Sequence, residues 1–400
     1  MKHLLVSEVF PPRTGGSGRW FWEIYRRLPR ASCAVAAGEH PRQEEFDRTH
    51  NLRLARLPLT FSTWGVASRS GLRQYGGMAR RLLRLARADR VGMLHCGKCL
   101  PEGFLAWLLK RWCGMPYLCY VHGEELNLAG TSRELAWLTS RALRGAEFVI
   151  ANSRNTGALL RDGWGLPAER VRVLNPGVDA EYFVPASPDP ARRRNLDWGA
   201  RPVVLTVGRL QKRKGHDMMI RALAEVRRSF ADVLYAIVGD GEERAALENL
   251  VGGQGLGGHV QFLGEPDDAG LLACYQQCDV FVLPNRQVGQ DIEGFGMVLV
   301  EAQACGKPVI GGASGGTAET MRVPDTGLLV PCDAPGPLGT AVIELLGDAK
   351  RRERMGQAGR EWAASRFDWR TLVGQAARLF DMPLSPVPTT FGPVTATRIV

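Results

Sequence analysis

The chain has 400 residues, 45% of them hydrophobic, and a length beyond one ordinary core, so two domains are expected. The formal charge of +10 lies wholly in the first half: residues 1–200 hold 30 basic and 18 acidic side chains, and residues 201–400 hold 21 and 23. No apolar run approaches the roughly 18 residues of a spanning helix, the chain opens on a strand-like run instead of a signal peptide, and nine scattered cysteines argue for reduced thiols, which together predict a cytoplasmic protein.

Residues 3–10, HLLVSEVF, read as a buried strand. The loop PPRTGGSG follows, with Gly15, Gly16 and Gly18 making a permissive turn, and Arg19–Leu28 has helical spacing. This strand, glycine loop and helix suit phosphate binding, but they lack the Lys-Ser/Thr of a P-loop and the full dinucleotide fingerprint. Further short apolar runs at Cys33–Ala37, Val91–Cys96, Tyr117–Val121 and Glu147–Asn152 alternate with helix-length segments, as expected for a parallel sheet covered on both faces. Residues 69–90 contain seven arginines among leucines and predict a basic amphipathic helix, either a solvated face or a contact with an anionic membrane surface. Cys96 and Cys99 form a CxxC beside His95 without a second pair at finger spacing, which points to buried thiols and no metal site. No zinc finger, helix-turn-helix or RNP-like strand pair supports nucleic acid as a partner.

A Pro-rich stretch after Asn175, with Pro185, Pro188, Pro190 and the arginines 192–194, reads as a linker. From Pro202 the alternation restarts with strands at Val203–Val207, Leu234–Val238, Val260–Leu263, Val280–Leu283 and Val309–Ile310. Helices near 338–346 and 352–365 follow, then FDW (Phe367–Trp369), a short helix to Phe380 and a Pro-rich tail. The domains are accordingly placed at 1–185 and 186–365, with a C-terminal helix at 366–381 and a flexible tail at 382–400. Ligands of such sheets bind at the carboxyl ends of the strands.

Three polar constellations fall there. His122 in YVHGEE stands just past a buried strand and suits a cleft histidine that hydrogen-bonds a polar substrate. In VGRLQKRKGHD, Gly208 permits a tight turn while Arg209 and Lys214 suit one diphosphate, or belong to a solvated basic loop. In EGFGMVLVE, Glu293 stands in a glycine loop with Gly294, Phe295 and Gly296, and Glu301 lies eight positions on, about two turns inside a helix that starts near Phe295. An acid on either side of a helix N-terminus suits a ligand with both phosphate and hydroxyls.

The ordered set of Gly15 and Gly16, His122, the pattern Gly208, Arg209 and Lys214, and Glu293 with Glu301, together with NPGVD at 175–179, resembles family 4 of the retaining glycosyltransferases. The resemblance covers nearly the whole chain up to the tail. It implies the GT-B fold, an α/β architecture of two Rossmann-like domains with parallel sheets facing across a cleft, the first binding acceptor and the second the nucleotide sugar, with the C-terminal helix crossing back. It also implies roles. Gly15 and Gly16 lie under the donor sugar and diphosphate, His122 contacts the transferred sugar, and Arg209 and Lys214 neutralise the diphosphate. Glu293 and the N–H groups of residues 294–296 hold sugar hydroxyls, Glu301 binds the ribose, and the base stacks near Arg209 and the turn Phe262–Gly264. No metal or other cofactor is implied, since positive side chains replace the metal of other sugar transferases. The insertion NRQVGQDI between Pro284 and Glu293 resembles the phosphatidylinositol mannosyltransferase branch, favouring GDP-mannose over a UDP-hexose. The basic first half favours a glycan or lipid-linked acceptor at the inner membrane face, with a small soluble acceptor as the runner-up. An epimerase of the same fold, or a non-catalytic nucleotide-sugar-binding protein, is the alternative.

Overall fold

The computed structural model describes residues 1–13 and 15–382, so all but the first residue of the expected tail lies outside the described residues. The chain forms two compact units, one of residues 1–175 joined by residues 372–382, the other of residues 176–371. Each is a wholly parallel sheet whose strand order reverses beside its first strand.

In the first unit the strands are β1 (Lys2–Ser7), β2 (Cys33–Gly38), β3 (Leu54–Leu57), β4 (Val91–Cys96), β5 (Tyr117–Val121), β6 (Val149–Ala151) and β7 (Val171–Val173), in the order β3-β2-β1-β4-β5-β6-β7. Alternate residues separate to opposite faces. Leu4, Val6, Leu94, Cys96, Cys119 and Val121 join one core with Tyr75, Met78 and Leu82 of the helix Arg69–Ala88. On the other face Tyr120 meets the edges of Trp20 and Phe21 from the helix Gly16–Tyr25.

The second unit has β8 (Val203–Val207), β9 (Leu234–Val238), β10 (Val260–Gly264), β11 (Val280–Leu283), β12 (Val309–Gly312) and β13 (Gly327–Val330), ordered β10-β9-β8-β11-β12-β13. Val203, Leu205, Val207, Ala236 and Phe281 enter one core, while Val204, Tyr235, Ile237, Val280 and Val282 enter another. Both faces of the sheet are therefore covered, which is why these strands read as continuous apolar runs.

Two expectations change. The division falls between Asn175 and Pro176 instead of at 185/186, and the stretch read as a linker is folded into the second unit. Phe183 and Trp198 are buried there, the Val178 N–H donates to the Phe367 carbonyl, and Arg193 in the helix Pro190–Asn195 donates to the carbonyls of Gly199, Gln277 and Arg201. Proline spacing marks where regular structure is interrupted, and here the interruption is packed. The edge strands β3, β7 and β13 escape the sequence reading because they are three or four residues long and mostly half-buried or exposed, without the apolar run of a central strand.

Helices at Ala349–Arg366 and Trp369–Leu379 close the described chain. From Leu372 it belongs to the first unit, where Phe380 stacks on Tyr25 and tilts over His95. Beneath it lies a buried chain of hydrogen bonds: His3 Nδ1 to His95 Nε2 at 2.9 Å, and His95 Nδ1 to the Tyr25 hydroxyl at 2.6 Å. Burial lowers His3 to about 4, with the N-terminal amine adding to the effect and Asp381 opposing it, and burial holds His95 well below the usual imidazole range. Both rings are therefore neutral when folded, whereas unfolded imidazoles take up protons below about 6.5. Stability is expected to be fully present above that pH and to fall as the pH drops from about 6.5 towards 4. Urea midpoints measured across this range should show a smaller pH dependence in His3→Asn than in the unaltered protein.

Candidate active site

The reversal of strand order between β1 and β4 opens the first sheet at its carboxyl end, the place where such sheets hold ligands. A cavity of about 280 Å³ lies there, lined by Ser7, Ser17, Trp64, Lys98, His122 and Glu125 among others. His122 follows β5. Its Nε2 lies 2.8 Å from the Gly97 carbonyl, which can only accept, so Nε2 carries the proton and Nδ1 accepts from the Ser17 hydroxyl at 3.1 Å. Trp20 and Phe21 make T-shaped contacts with the ring, the His122 backbone N–H donates to Glu125 at 2.8 Å, and Asn152 donates to the His122 carbonyl at 3.0 Å. Backbone and ring are thus both held. Gly15, with φ 139°, caps the helix that begins at Gly16, and that same helix delivers Ser17 to His122.

Glu8, Lys98 and Glu102 carry no weight in the motif reading, and Glu125 enters it only as the last residue of YVHGEE. Lys98 donates to Glu8 at 2.5 Å, Glu102 accepts from the Glu8 N–H at 2.8 Å, and Glu125 lines the cavity. Burial alone would raise the Glu8 carboxyl, but Lys98 and Arg13 outweigh it and hold it below the usual range. Burial raises Glu102 and Glu125 despite the opposing pull of Lys98 on the former and His122 on the latter. Lys98 and Glu102 share the segment after β4, whereas Glu8 follows β1 and Glu125 stands in the helix Glu124–Ala129, so no single spacing joins all four. The basic excess of the first half is placed elsewhere: Arg73, Arg80, Arg81, Arg84 and Arg87 are exposed along the helix Arg69–Ala88.

In the second unit the reversal lies between β8 and β11. Lys214, in the turn after β8, donates to Glu293 Oε2 at 2.6 Å, and Arg213 donates to the same oxygen at 2.8 Å. Burial would raise the Glu293 carboxyl, but Lys214 and Arg213 prevail and keep it below the usual carboxylate range. The Glu293 carbonyl accepts from the Gly316 N–H at 2.9 Å. Glycine is required around this loop. A Cβ on Gly315, at φ 58°, would fall 1.9 Å from the Glu293 carbonyl oxygen, and one on Gly215, at φ 73°, would fall 1.8 Å from that of Pro284.

Gly296, at φ 95°, precedes a helix that runs Met297–Ala304, so Glu301 lies little more than one turn inside it instead of the expected two. The left-handed glycine delays the helix start by two residues. Glu301 is buried and accepts from the Tyr275 hydroxyl at 2.7 Å, while Phe295 is buried and Gly294 half-buried beside Glu293. Arg209 is exposed at the end of β8 and is not drawn into the Lys214–Glu293 cluster. The turn that carries it is fixed by backbone: Gly208 donates to the Val238 carbonyl, Leu210 to that of Asp240, and Gly239 to that of Gly264. Gly208, Gly239 and Gly264 therefore form one contiguous set of turns, and Arg244 lies over the Phe262 ring at 4.5 Å. Arg213 and Tyr275 are the side chains here that the sequence reading leaves out. The first stands in the basic loop next to Lys214 without a motif position of its own, and the second sits inside an apolar helix.

Among the described residues no three His, Cys, Asp or Glu side chains cluster as metal ligands. Cys96 and Cys99 are both buried, with Cys96 pushed up by burial and Cys99 by its contact with Cys119 and by burial.

Residues 14–182 match the family described as "Glycosyltransferase Family 4", and residues 189–362 match "Glycosyl transferases group 1". The chain is 34% identical to a GDP-mannose-dependent alpha-(1-6)-phosphatidylinositol monomannoside mannosyltransferase of Mycolicibacterium smegmatis, over 94% of this chain and 97% of the relative. It is 30% identical to a D-inositol 3-phosphate glycosyltransferase of Salinispora tropica, over 91% and 81%. Among solved structures, HepE of Anabaena in complex with UDP superposes with a TM-score of 0.80 at 22% identity, over 95% of this chain and 100% of that one, a likeness of fold. Two reversed parallel sheets with polar residues gathered at their switch points, and relatives matched over almost their full length, show that the chain belongs to the family 4 glycosyltransferases of GT-B fold.

Proposed function

We propose that the protein transfers mannose from GDP-mannose, with retention of anomeric configuration, to a hydroxyl of a lipid-linked glycan acceptor at the cytoplasmic face of a membrane. The observation that carries this reading is the joining of Lys214 and Glu293 at the switch point of the second sheet, in a chain whose mannosyltransferase relative matches from end to end. That relative's donor supports GDP-mannose, and its phosphatidylinositol monomannoside acceptor supports a lipid-linked one.

The chemistry follows from charge. As the bond from the anomeric carbon to the diphosphate oxygen breaks, positive charge grows on the sugar ring and negative charge on the leaving phosphate. Arg209, exposed just past β8, and Lys214 supply the positive charge for the diphosphate. Glu293 is held by two cations, an arrangement suited to accepting sugar hydroxyls and ill suited to nucleophilic attack. The acceptor oxygen then bonds to the anomeric carbon from the face the diphosphate leaves, and its proton passes to the departing phosphate oxygen. His122, with its Nε2 proton held towards Gly97 and its Nδ1 occupied by the Ser17 hydroxyl, lines its cavity as a Ser17–His122 pair suited to a sugar hydroxyl. Glu301 takes the ribose hydroxyls with Tyr275 orienting it, and Gly264 borders the base.

The exposed arginines of the helix Arg69–Ala88 supply the anionic-membrane contact, while its Tyr75, Met78 and Leu82 are used up in the core. No helix among the described residues is long and apolar enough to cross a membrane.

Lys214→Ala should lower kcat about 100-fold, the scale of losing one transition-state donor, and near-normal turnover would remove Lys214 from the mechanism. Product NMR should show the donor's anomeric configuration retained, and an inverted product would overturn the same-face route. Replacing Arg80, Arg81 and Arg84 with Ala should abolish sedimentation with phosphatidylglycerol vesicles while leaving the folded state intact. Unchanged sedimentation would remove this helix from the membrane contact.

A further inference from the structure

The segment 285–292 between β11 and Glu293 is a built part of the site. Arg286 pairs with both oxygens of Asp217 at 2.8 and 3.0 Å, and its N–H donates to the Arg213 carbonyl at 2.8 Å. Val288 and Asp291 exchange backbone hydrogen bonds of 3.0 Å, closing a small hairpin. Arg213 then spans the loop's far end: its Nε lies 3.2 Å from Asp291 Oδ1 and its Nη1 2.8 Å from Glu293 Oε2. The Arg213 side chain is 11% exposed and that of Glu293 9%, so the pair is largely shielded from water and its geometry is well defined. A lysine in its place could reach one carboxylate as a point charge but could not present a fork to two.

We propose that Arg213 is a positioning residue of the donor site, fastening the 285–292 loop to the turn after β8 and setting the Glu293 carboxylate beside Lys214 for the hydroxyls of the donor sugar. This rests on the reading of Lys214 and Glu293 as donor residues. Both cations bond the same oxygen, Oε2, so Oε1 is left on the other side of the carboxylate, and the Gly316 N–H fixes the backbone from which the side chain springs. Lys214 and Arg213 from the turn bond Glu293, and Arg213 also reaches Asp291 of the loop. Burial opposes ionisation of Glu293 and the two cations enforce it, so removing one of them raises the pH at which it protonates.

The test compares binding of GDP-mannose with binding of GDP to the full chain by calorimetry. Arg213→Ala should weaken GDP-mannose about tenfold, the scale of a charge-assisted hydrogen bond, and leave GDP within about threefold. The acid limb of GDP-mannose binding should also move to higher pH, and Arg213→Lys should restore the limb more fully than the affinity. Equal losses for GDP and GDP-mannose would make Arg213 a phosphate ligand and overturn the proposal, as would an unchanged affinity ratio with an unmoved acid limb. If Arg213→Ala does not fold, Arg213→Lys and Asp291→Asn carry the same comparison. Glu293→Ala separates the two levels of the argument. An unchanged ratio in that variant would refute the donor-site reading itself, whereas a changed ratio there with none in the Arg213 variants would refute only the positioning role.

Discussion

A parallel sheet buried on both faces constrains where polar chemistry can stand. In β8, β9 and β11 every residue is buried, with alternate side chains entering separate cores. An unpaired charge within them would be costly. Polar residues are therefore left to the loops after the strands, and the reversal of strand order between β1 and β4, and again between β8 and β11, sends neighbouring loops in opposite directions. His122, Lys98 and Glu8 gather at the first reversal, Lys214, Arg213 and Glu293 at the second. The sites are consequences of the topology before they are consequences of particular side chains.

The two sites differ in electrostatic design. In the second unit one buried carboxylate is matched by two cations, so Glu293 stays charged in a place that would otherwise neutralise it. In the first, Lys98 meets Glu8 while Glu102 and Glu125 are driven towards protonation by burial. The arginines that make the first half basic are spread along an exposed helix instead, apart from the residues that line the first unit's cavity.

Much of the rigidity is supplied by backbone. Gly239 approaches the Gly208 carbonyl so closely that a Cβ would lie 2.1 Å from its oxygen, and Gly312 approaches Asn285 within 1.7 Å by the same measure. Such contacts lock the loop after β8 to the turn after β9, and β12 to the start of the 285–292 segment. Loops of this length would otherwise carry the conformational freedom that weakens a binding site. The glycine-rich turns that look permissive in sequence are thus among the tightest places in the fold.

The run VVLTV at 203–207, the GR and RKG at either end of the turn after it, and the spacing of Glu293 from Glu301 are local patterns. From them the sequence alone determined the parallel α/β class, the central strands and the order of the site residues, because apolar periodicity and glycine turns report directly on neighbours in the chain. It could not determine that Arg213 bridges Asp291 and Glu293, that Tyr275 serves Glu301, or that Glu8 and Lys98 meet across 90 residues. Nor could it show that the Pro-rich stretch after Asn175 is packed around Phe183 and Trp198. Those facts depend on which loops the crossovers bring side by side, and ion pairs and burial between residues distant in sequence leave no period in either segment.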